Sequence, residues 1–205
     1  MTIDSSKILV PHMTAWSTEA APAVSIRFRS GRLIYTDERP DDRDEHGILW
    51  TRSHQEQGGG RPTFGRVHTA RQREAVARML CQVCGVKAKP VDGRYLWLTD
   101  LSDVEGLGRF DEKWTTSSYP PICQPCLETS VARCPALRKG FAILTVTSSE
   151  PFGVRGIEFH KKLWRPVQVE SSMHHYPYGH PALSRVLATQ QVSALHGVAL
   201  TEWKH

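Results

Sequence analysis

The 205-residue sequence contains no asparagine and no apolar run near the ~20 residues that a membrane-spanning helix requires. We therefore expect no membrane contact. The N-terminal stretch MTIDSSKILVPHM has no basic segment followed by an apolar one, so no secretory signal is predicted. These absences predict a cytoplasmic protein. In that reducing environment, paired cysteines are more often metal ligands or catalytic thiols than disulfides.

Cysteine is scarce, with five in the chain, and four of the five form two Cys-x-x-Cys pairs. Cys81 and Cys84 lie in LCQVCGV, and Cys123 and Cys126 lie in ICQPCLETSVARCP. This spacing predicts one zinc cofactor bound by four thiolates. The alternative is two unrelated pairs of buried or redox cysteines, although a thioredoxin-like site would need one pair in a βαβ context. A closed four-cysteine site has no open position for substrate, so we expect a structural zinc.

The segments around the cysteines resemble a treble-clef zinc finger: a turn carrying CQVCG, a hairpin, and then CQPC opening a helix. A zinc ribbon is the alternative, with the second pair on another hairpin. Some treble-clef proteins are His-Asn-His nucleases, which need a catalytic histidine. The chain has no histidine between Cys84 and Cys123 and no asparagine anywhere, which excludes that chemistry. Cys134 lies ~12 Å along the helix from Cys126 and is expected to be a buried helix residue.

Five segments follow one another in a specific order, and they cover most of residues 35–156: YTDERPDDRDEHGILW, GRPTFGRVHTARQREAVARMLCQVCG, YLWL, PPICQPCLETSVARCPALRKG and GVRG. Their order and spacing resemble a group of uncharacterised actinobacterial (Streptomyces-type) zinc-finger-like proteins with paired Cys-x-x-Cys motifs. Some of these are encoded beside phage-like or specialised-metabolite genes. The resemblance implies no activity. It implies that the N-terminal segments and the zinc lobe form one unit.

We predict an α+β fold, with short antiparallel strands around the treble-clef-like zinc lobe and a C-terminal amphipathic helix. Alternation in VSIRFR predicts a strand that turns at Ser30-Gly31. Helical spacing predicts a helix capped by Thr69, a short one from about Pro125 to Arg133, and a last one over 181–197.

The predicted domain organisation follows these elements. Residues 1–160 form a mixed α+β domain, which includes the zinc lobe at about 78–140. Residues 161–205 form a C-terminal segment that carries the amphipathic helix.

The net charge of +5 is uneven, and residues 61–80 hold most of the excess, with five arginines and one glutamate. This pattern favours a zinc-stabilised binding protein that contacts nucleic acid, or else a protein partner, through the basic helix. The predicted contact residues are Arg61, Arg66, Arg71, Arg73 and Arg78. The plainer alternative is the solvated face of an amphipathic helix.

The alternative function is a small-molecule enzyme of specialised metabolism, with a structural zinc and an acid–base pocket. The candidate catalytic residues are Asp44 and His46 in an acidic run, His68 before the basic helix, and His175 in SSMHHYPYGHP. The plainer alternative is that both runs are solvated loops. The enzyme hypothesis expects at least two of the four candidates in one enclosed pocket, and it fails if all four point into solvent.

Overall fold

The structure, a computed structural model, describes residues 9–20, 24–100, 114–163, 165–169 and 174–204. Within these ranges it contains thirteen strands and two α-helices, joined by loops and 3-10 turns. The predicted α+β class is confirmed, with strands in the majority. Neither α-helix in the described ranges is long and apolar enough to cross a membrane.

The elements are named in chain order. The strands are β1 Thr14–Trp16, β2 Ile26–Arg29, β3 Arg32–Tyr35, β4 Leu49–Trp50, β5 Pro62–Val67, β6 Tyr95–Asp100, β7 Trp114–Ser117, β8 Phe141–Val146, β9 Ser148–Lys162, β10 Arg165–Gln168, β11 His174–Pro177, β12 Val186–His196 and β13 Ala199–Lys204. The helices are α1 Thr69–Arg78 and α2 Gln124–Arg133.

The largest sheet has six strands and is centred on β9 and β12, which pair antiparallel. β12 also pairs with β7 antiparallel and with β4 in parallel, while β11 and β10 pair with the other edge of β9. β11 approaches β9 so closely that a Cβ atom on Gly153 would lie 1.9 Å from the Tyr176 carbonyl oxygen. The side chains of Val154, Val186 and Trp50 are buried in one core cluster of this sheet.

A three-stranded sheet, in the order β13-β8-β6, supports the cysteine lobe. β8 has the sequence FAILTV, and nearly all of it is buried, which is typical of a strand covered on both faces. Phe141 and Ile143 pack in a cluster with Cys81, while Leu144 packs in a second cluster with Trp97. The sheet thus packs against Cys81, the buried member of the first cysteine pair.

β2 and β3 form a separate ribbon joined by the predicted Ser30-Gly31 turn. Both turn residues have positive φ (49° and 77°), which matches a tight two-residue hairpin. The ribbon packs Leu33 and Tyr35 into a core cluster with Phe159 of β9, and β2 lies beside β10. The opposite face of the ribbon is therefore turned to solvent.

The predicted C-terminal helix over 181–197 is wrong. A 3-10 turn, Pro181–Arg185, is followed by β12. Buried residues recur at every second position from Val186 to Val192, which is the period of a strand rather than a helix. Both edges of β12 are paired, and this tertiary pairing outweighs the weak local preference for helix.

Candidate metal centre

The first cysteine pair lies on a tight turn directly after α1. Leu80 and Lys87 form an antiparallel bridge across the turn, and the Gly85 N–H donates to the Cys81 carbonyl oxygen. Gly85 has a φ of 71°, and a Cβ atom there would lie 2.8 Å from Nδ1 of His12. Both the backbone conformation and the space at this position therefore favour glycine.

The second pair lies at the N-terminus of α2. Cys123 is the N-cap residue and Cys126 lies in the first helical turn. Pro125 falls in the same turn, where its missing N–H costs nothing. Leu127 of α2 packs in the core cluster that holds Cys81, so helix packing brings the two cysteine pairs together.

The four cysteine sulfurs form one cluster in which every Sγ lies within 4.8 Å of the others. Sγ of Cys84 is 3.8 Å from Sγ of Cys123, and Cys84 is the exposed member while Cys81 is buried. The N–H groups of Val83 and Cys123 point at Sγ of Cys81, at 3.5 and 3.4 Å. Burial alone would raise the pKa of the Cys81 thiol, but backbone N–H donors, led by Cys123, lower it and favour the thiolate.

Four thiolates with amide donors fit a soft, tetrahedral metal ion. With Cys81, Cys84, Cys123 and Cys126 all bound, the ion would have no free position, so the site suits a structural role. Cys134 is not in this cluster of described residues; it is partly buried and caps the C-terminus of α2.

Arg71 and His68 lie in a buried ion-pair network instead of at the surface. Arg71 donates to both carboxylate oxygens of Glu19, with Nη2 at 2.7 Å from Oε2, and to the carbonyl oxygen of Thr14 at 2.7 Å. His68, rather than Thr69, is the N-cap of α1, and its Nδ1 accepts from the Arg71 N–H. Burial alone would raise the pKa of Glu19, but hydrogen bonds led by Arg71 lower it to about 2. Arg71 is thus engaged inside the fold, away from any phosphate at the surface.

Asp44, His46 and Arg73 meet around two aromatic rings. The Asp44 carboxylate accepts from Nε1 of Trp50 at 2.9 Å and also from two backbone N–H groups. The Arg73 guanidinium lies 3.9 Å above the Trp50 ring, and the His46 ring is 4.0 Å from that of Tyr178. The Asp44 oxygens already accept three hydrogen bonds, which gives this carboxylate a clear role in fixing its own loop.

His175 lies apart from these groups on β11, with Nδ1 at 2.9 Å from Oγ1 of Thr116. Burial, aided by the charges of Arg155 and His174, lowers the pKa of His175 to about 4, so it is neutral at pH 7.

A cleft of about 420 Å³ lies beside the first cysteine turn and contains none of the four candidate catalytic residues. Its lining residues are His12, Glu74, Arg78, Leu80, Gly85 and Lys87. Of the four candidates, only Asp44 and His46 are brought together.

Three of the five predicted contact arginines are exposed. Arg61 directly precedes β5 and Arg66 lies on it, and both are exposed. Arg78 is exposed on α1, where it forms an i,i+4 ion pair with Glu74. With Arg71 buried and Arg73 stacked on Trp50, the basic helix offers a smaller cationic surface than its sequence suggests.

Sequence reasoning missed a second cationic surface, which we name the cationic hairpin face. It consists of five exposed side chains on two hairpins that lie side by side: Arg27, Arg29, Arg32, Lys162 and Arg165. Segments 24–35 and 159–169 contain no aspartate or glutamate. The signal was present, because basic residues alternate with apolar ones in VSIRFR, but the register that assembles the face was not readable.

In each hairpin the residues that flank the turn are both cations. Arg29 lies directly opposite Arg32 in the β2–β3 pair, and Lys162 lies directly opposite Arg165 in the β9–β10 pair. Arg32 also donates to the carbonyl oxygen of Gly47 at 3.3 Å. The two hairpins therefore present paired positive charges next to their turns.

The geometry defines a cluster of four cysteines that could hold one metal ion, in a mostly β, α+β fold. No protein family model, curated protein or solved structure matches the chain. The treble-clef assignment and the actinobacterial resemblance stay predictions.

Proposed function

We propose that the chain is a zinc-stabilised nucleic-acid-binding protein whose cationic hairpin face contacts the phosphate backbone. One observation carries the proposal: two like-charged pairs, Arg29 with Arg32 and Lys162 with Arg165, face each other directly across strands. Like charges directly opposite destabilise a sheet. A bound polyanion neutralises both pairs and releases its own counterions. Relief of the electrostatic repulsion within the pairs then contributes to the binding free energy.

Zinc is the metal that the four thiolates favour, and its proposed role is structural. The first pair on a glycine turn and the second pair at a helix N-terminus support the treble-clef interpretation. Bound zinc would fix the turn after α1 to the start of α2. The two segments are distant in sequence, since Cys123 follows Cys81 by 42 residues. Removal of the ion is expected to unfold this lobe.

The basic helix is the weaker interface of the two. Its best-placed arginine, Arg71, is committed to Glu19, and Arg78 is paired with Glu74. The small-molecule enzyme hypothesis is also weaker, because its candidates Asp44 and His46 lie on a loop where the His46 side chain is 45 % exposed.

The test compares two variants that lose the same number of charges. The hairpin variant carries Arg29→Gln, Lys162→Gln and Arg165→Gln, and the matched control carries Arg61→Gln, Arg66→Gln and Arg78→Gln. Fluorescence anisotropy of a labelled duplex of about 25 base pairs is measured at about 50 to 200 mM salt. We expect the hairpin variant to lower the slope of log K against log salt by up to about 2.7, and the control to lower it less.

The same variants separate binding from folding. Relief of the like-charge pairs should leave the free energy of unfolding of the hairpin variant unchanged or higher, by up to ~1 kcal/mol. Two results would overturn the proposal: no salt-dependent binding by the wild-type protein, or a larger loss in the control than in the hairpin variant.

A further inference from the structure

We propose that the tip of the β9–β10 hairpin is an apolar wedge, carried by Leu163, that inserts between base pairs of duplex DNA and bends it. This inference rests on the proposed nucleic-acid function and adds its substrate class and binding mode. The hairpin would act as a two-stranded arm whose cations hold the phosphates on either side of the inserted side chain.

Leu163 is exposed to an unusual degree. Its relative exposure of 81 % is the highest of the large apolar residues in the described part of the chain. It follows Lys162 at the end of β9, and Val167 on β10 is also exposed, at 44 %. Because the Leu163 side chain is not buried in the free protein, it contributes no hydrophobic stabilisation to the fold.

The backbone at Leu163 is unfavourable as well. Its φ of 54° lies in the left-handed region, which costs a side-chain-bearing residue ~1–2 kcal/mol and which glycine or asparagine adopts more easily. The equivalent first turn position of the β2–β3 hairpin is Ser30, which also has a positive φ (49°) but carries a small polar side chain. Strain, exposed apolar surface and a like-charged pair, Lys162 with Arg165, thus coincide at one tip. The exposed apolar surface and the like-charged pair are unfavourable in the free protein, and a bound polyanion with an apolar interior accounts for both of them.

Duplex DNA is the occupant that this combination fits. Side chains such as leucine unstack base steps from the minor groove and kink the duplex, while flanking cations contact the phosphates. No acidic residue lies in 159–169 to oppose such an approach.

The test uses the full-length, metal-loaded protein with Leu163→Gly. Glycine keeps the positive φ and removes only the side chain, so the variant should be as stable as the wild type or more so. Bending is read from energy transfer between dyes at the two ends of a duplex of about 25 base pairs, and affinity from anisotropy on the same duplex. We expect the wild type to shorten the end-to-end distance, and Leu163→Gly to abolish the shortening and weaken binding about tenfold. The matched control, Leu200→Ser, removes another exposed leucine from β13 and should change neither readout.

The outcomes are distinguishable. Equal salt-dependent binding by the wild type and Leu163→Gly, with an unbent duplex in both, overturns the wedge but leaves the proposed function standing. No duplex binding by the wild type overturns both. Sedimentation with vesicles of phosphatidylcholine and phosphatidylserine is the third arm: Leu163-dependent vesicle binding without duplex binding assigns the tip to an anionic membrane and refutes the inference.

Discussion

The substitution Glu19→Gln tests the buried network that anchors the N-terminal segment to α1. Glu19 is 2 % exposed and Arg71 is 5 % exposed, and the two side chains share two hydrogen bonds. In the folded protein the pKa of Glu19 is lowered from 4.5 to about 2. That difference corresponds to about 3 kcal/mol of folding free energy near pH 7, which agrees with the ~3–5 kcal/mol expected when one partner of a buried ion pair is removed.

The pH dependence of this loss fixes its cause. A depressed carboxyl pKa contributes stability that is complete well above the unfolded pKa of 4.5 and is lost as the pH falls toward about 2. The difference between wild type and Glu19→Gln should therefore shrink from about 3 kcal/mol near pH 7 to about 1.5 kcal/mol near pH 3. Other ionised carboxylates cancel in this comparison because both proteins contain them.

Urea unfolding at the two pH values measures the effect. The matched control is Glu74→Gln, which removes an exposed carboxylate from the i,i+4 pair with Arg78 and should cost at most ~0.5 kcal/mol. If Glu19→Gln cost no more than Glu74→Gln, or if its cost were the same at both pH values, the assignment of a buried, ionised pair would be refuted.

Two further predictions concern the large sheet. Because the pKa of His175 is lowered to about 4, the folded state resists protonation of this side chain, and the free energy of unfolding should fall as the pH drops from about 6.5 toward 4. His175→Gln should flatten this fall. An NMR titration of His175 with a midpoint above 6 would contradict the burial argument. A Cβ atom at Gly153 would lie 1.9 Å from a backbone carbonyl oxygen of β11, so Gly153→Ala should lower the free energy of unfolding, measured by thermal unfolding, by at least ~2 kcal/mol. The control is Gly31→Asn, in a turn with open space around it, which should cost less than ~1 kcal/mol. Equal losses of stability in the two variants would contradict the close approach of β11 to β9.

Local patterns predicted the elements whose signal is local. Alternation identified β2, and helical spacing identified α1 and α2. The valines, leucines and alanines of β12 fit the period of a helix as well as that of a strand, and only pairing along both edges decides between them. β7, β11, β12 and β13 gain their stability from partners distant in sequence, which a local pattern does not contain.

The candidate metal centre could be predicted because chelation by two short-spaced cysteine pairs is itself a local pattern. The roles of the arginines could not. Arg71 meets Glu19 across 52 residues, and nothing in the spacing separates it from the exposed Arg66. The cationic hairpin face depends on strand register, since a shift of one residue would move Arg27 and Arg29 to the other side of the ribbon.

Four of the five cysteines are expected to bind one metal ion in a single, closed site. The direct measurement is the zinc content of the purified protein, combined with titration of its reactive thiols in the native state, before and after a chelator. We expect one zinc per chain, one reactive thiol from Cys134, and four more thiols together with loss of structure once the ion is removed. A metal-free native protein in which all five thiols react would contradict the account.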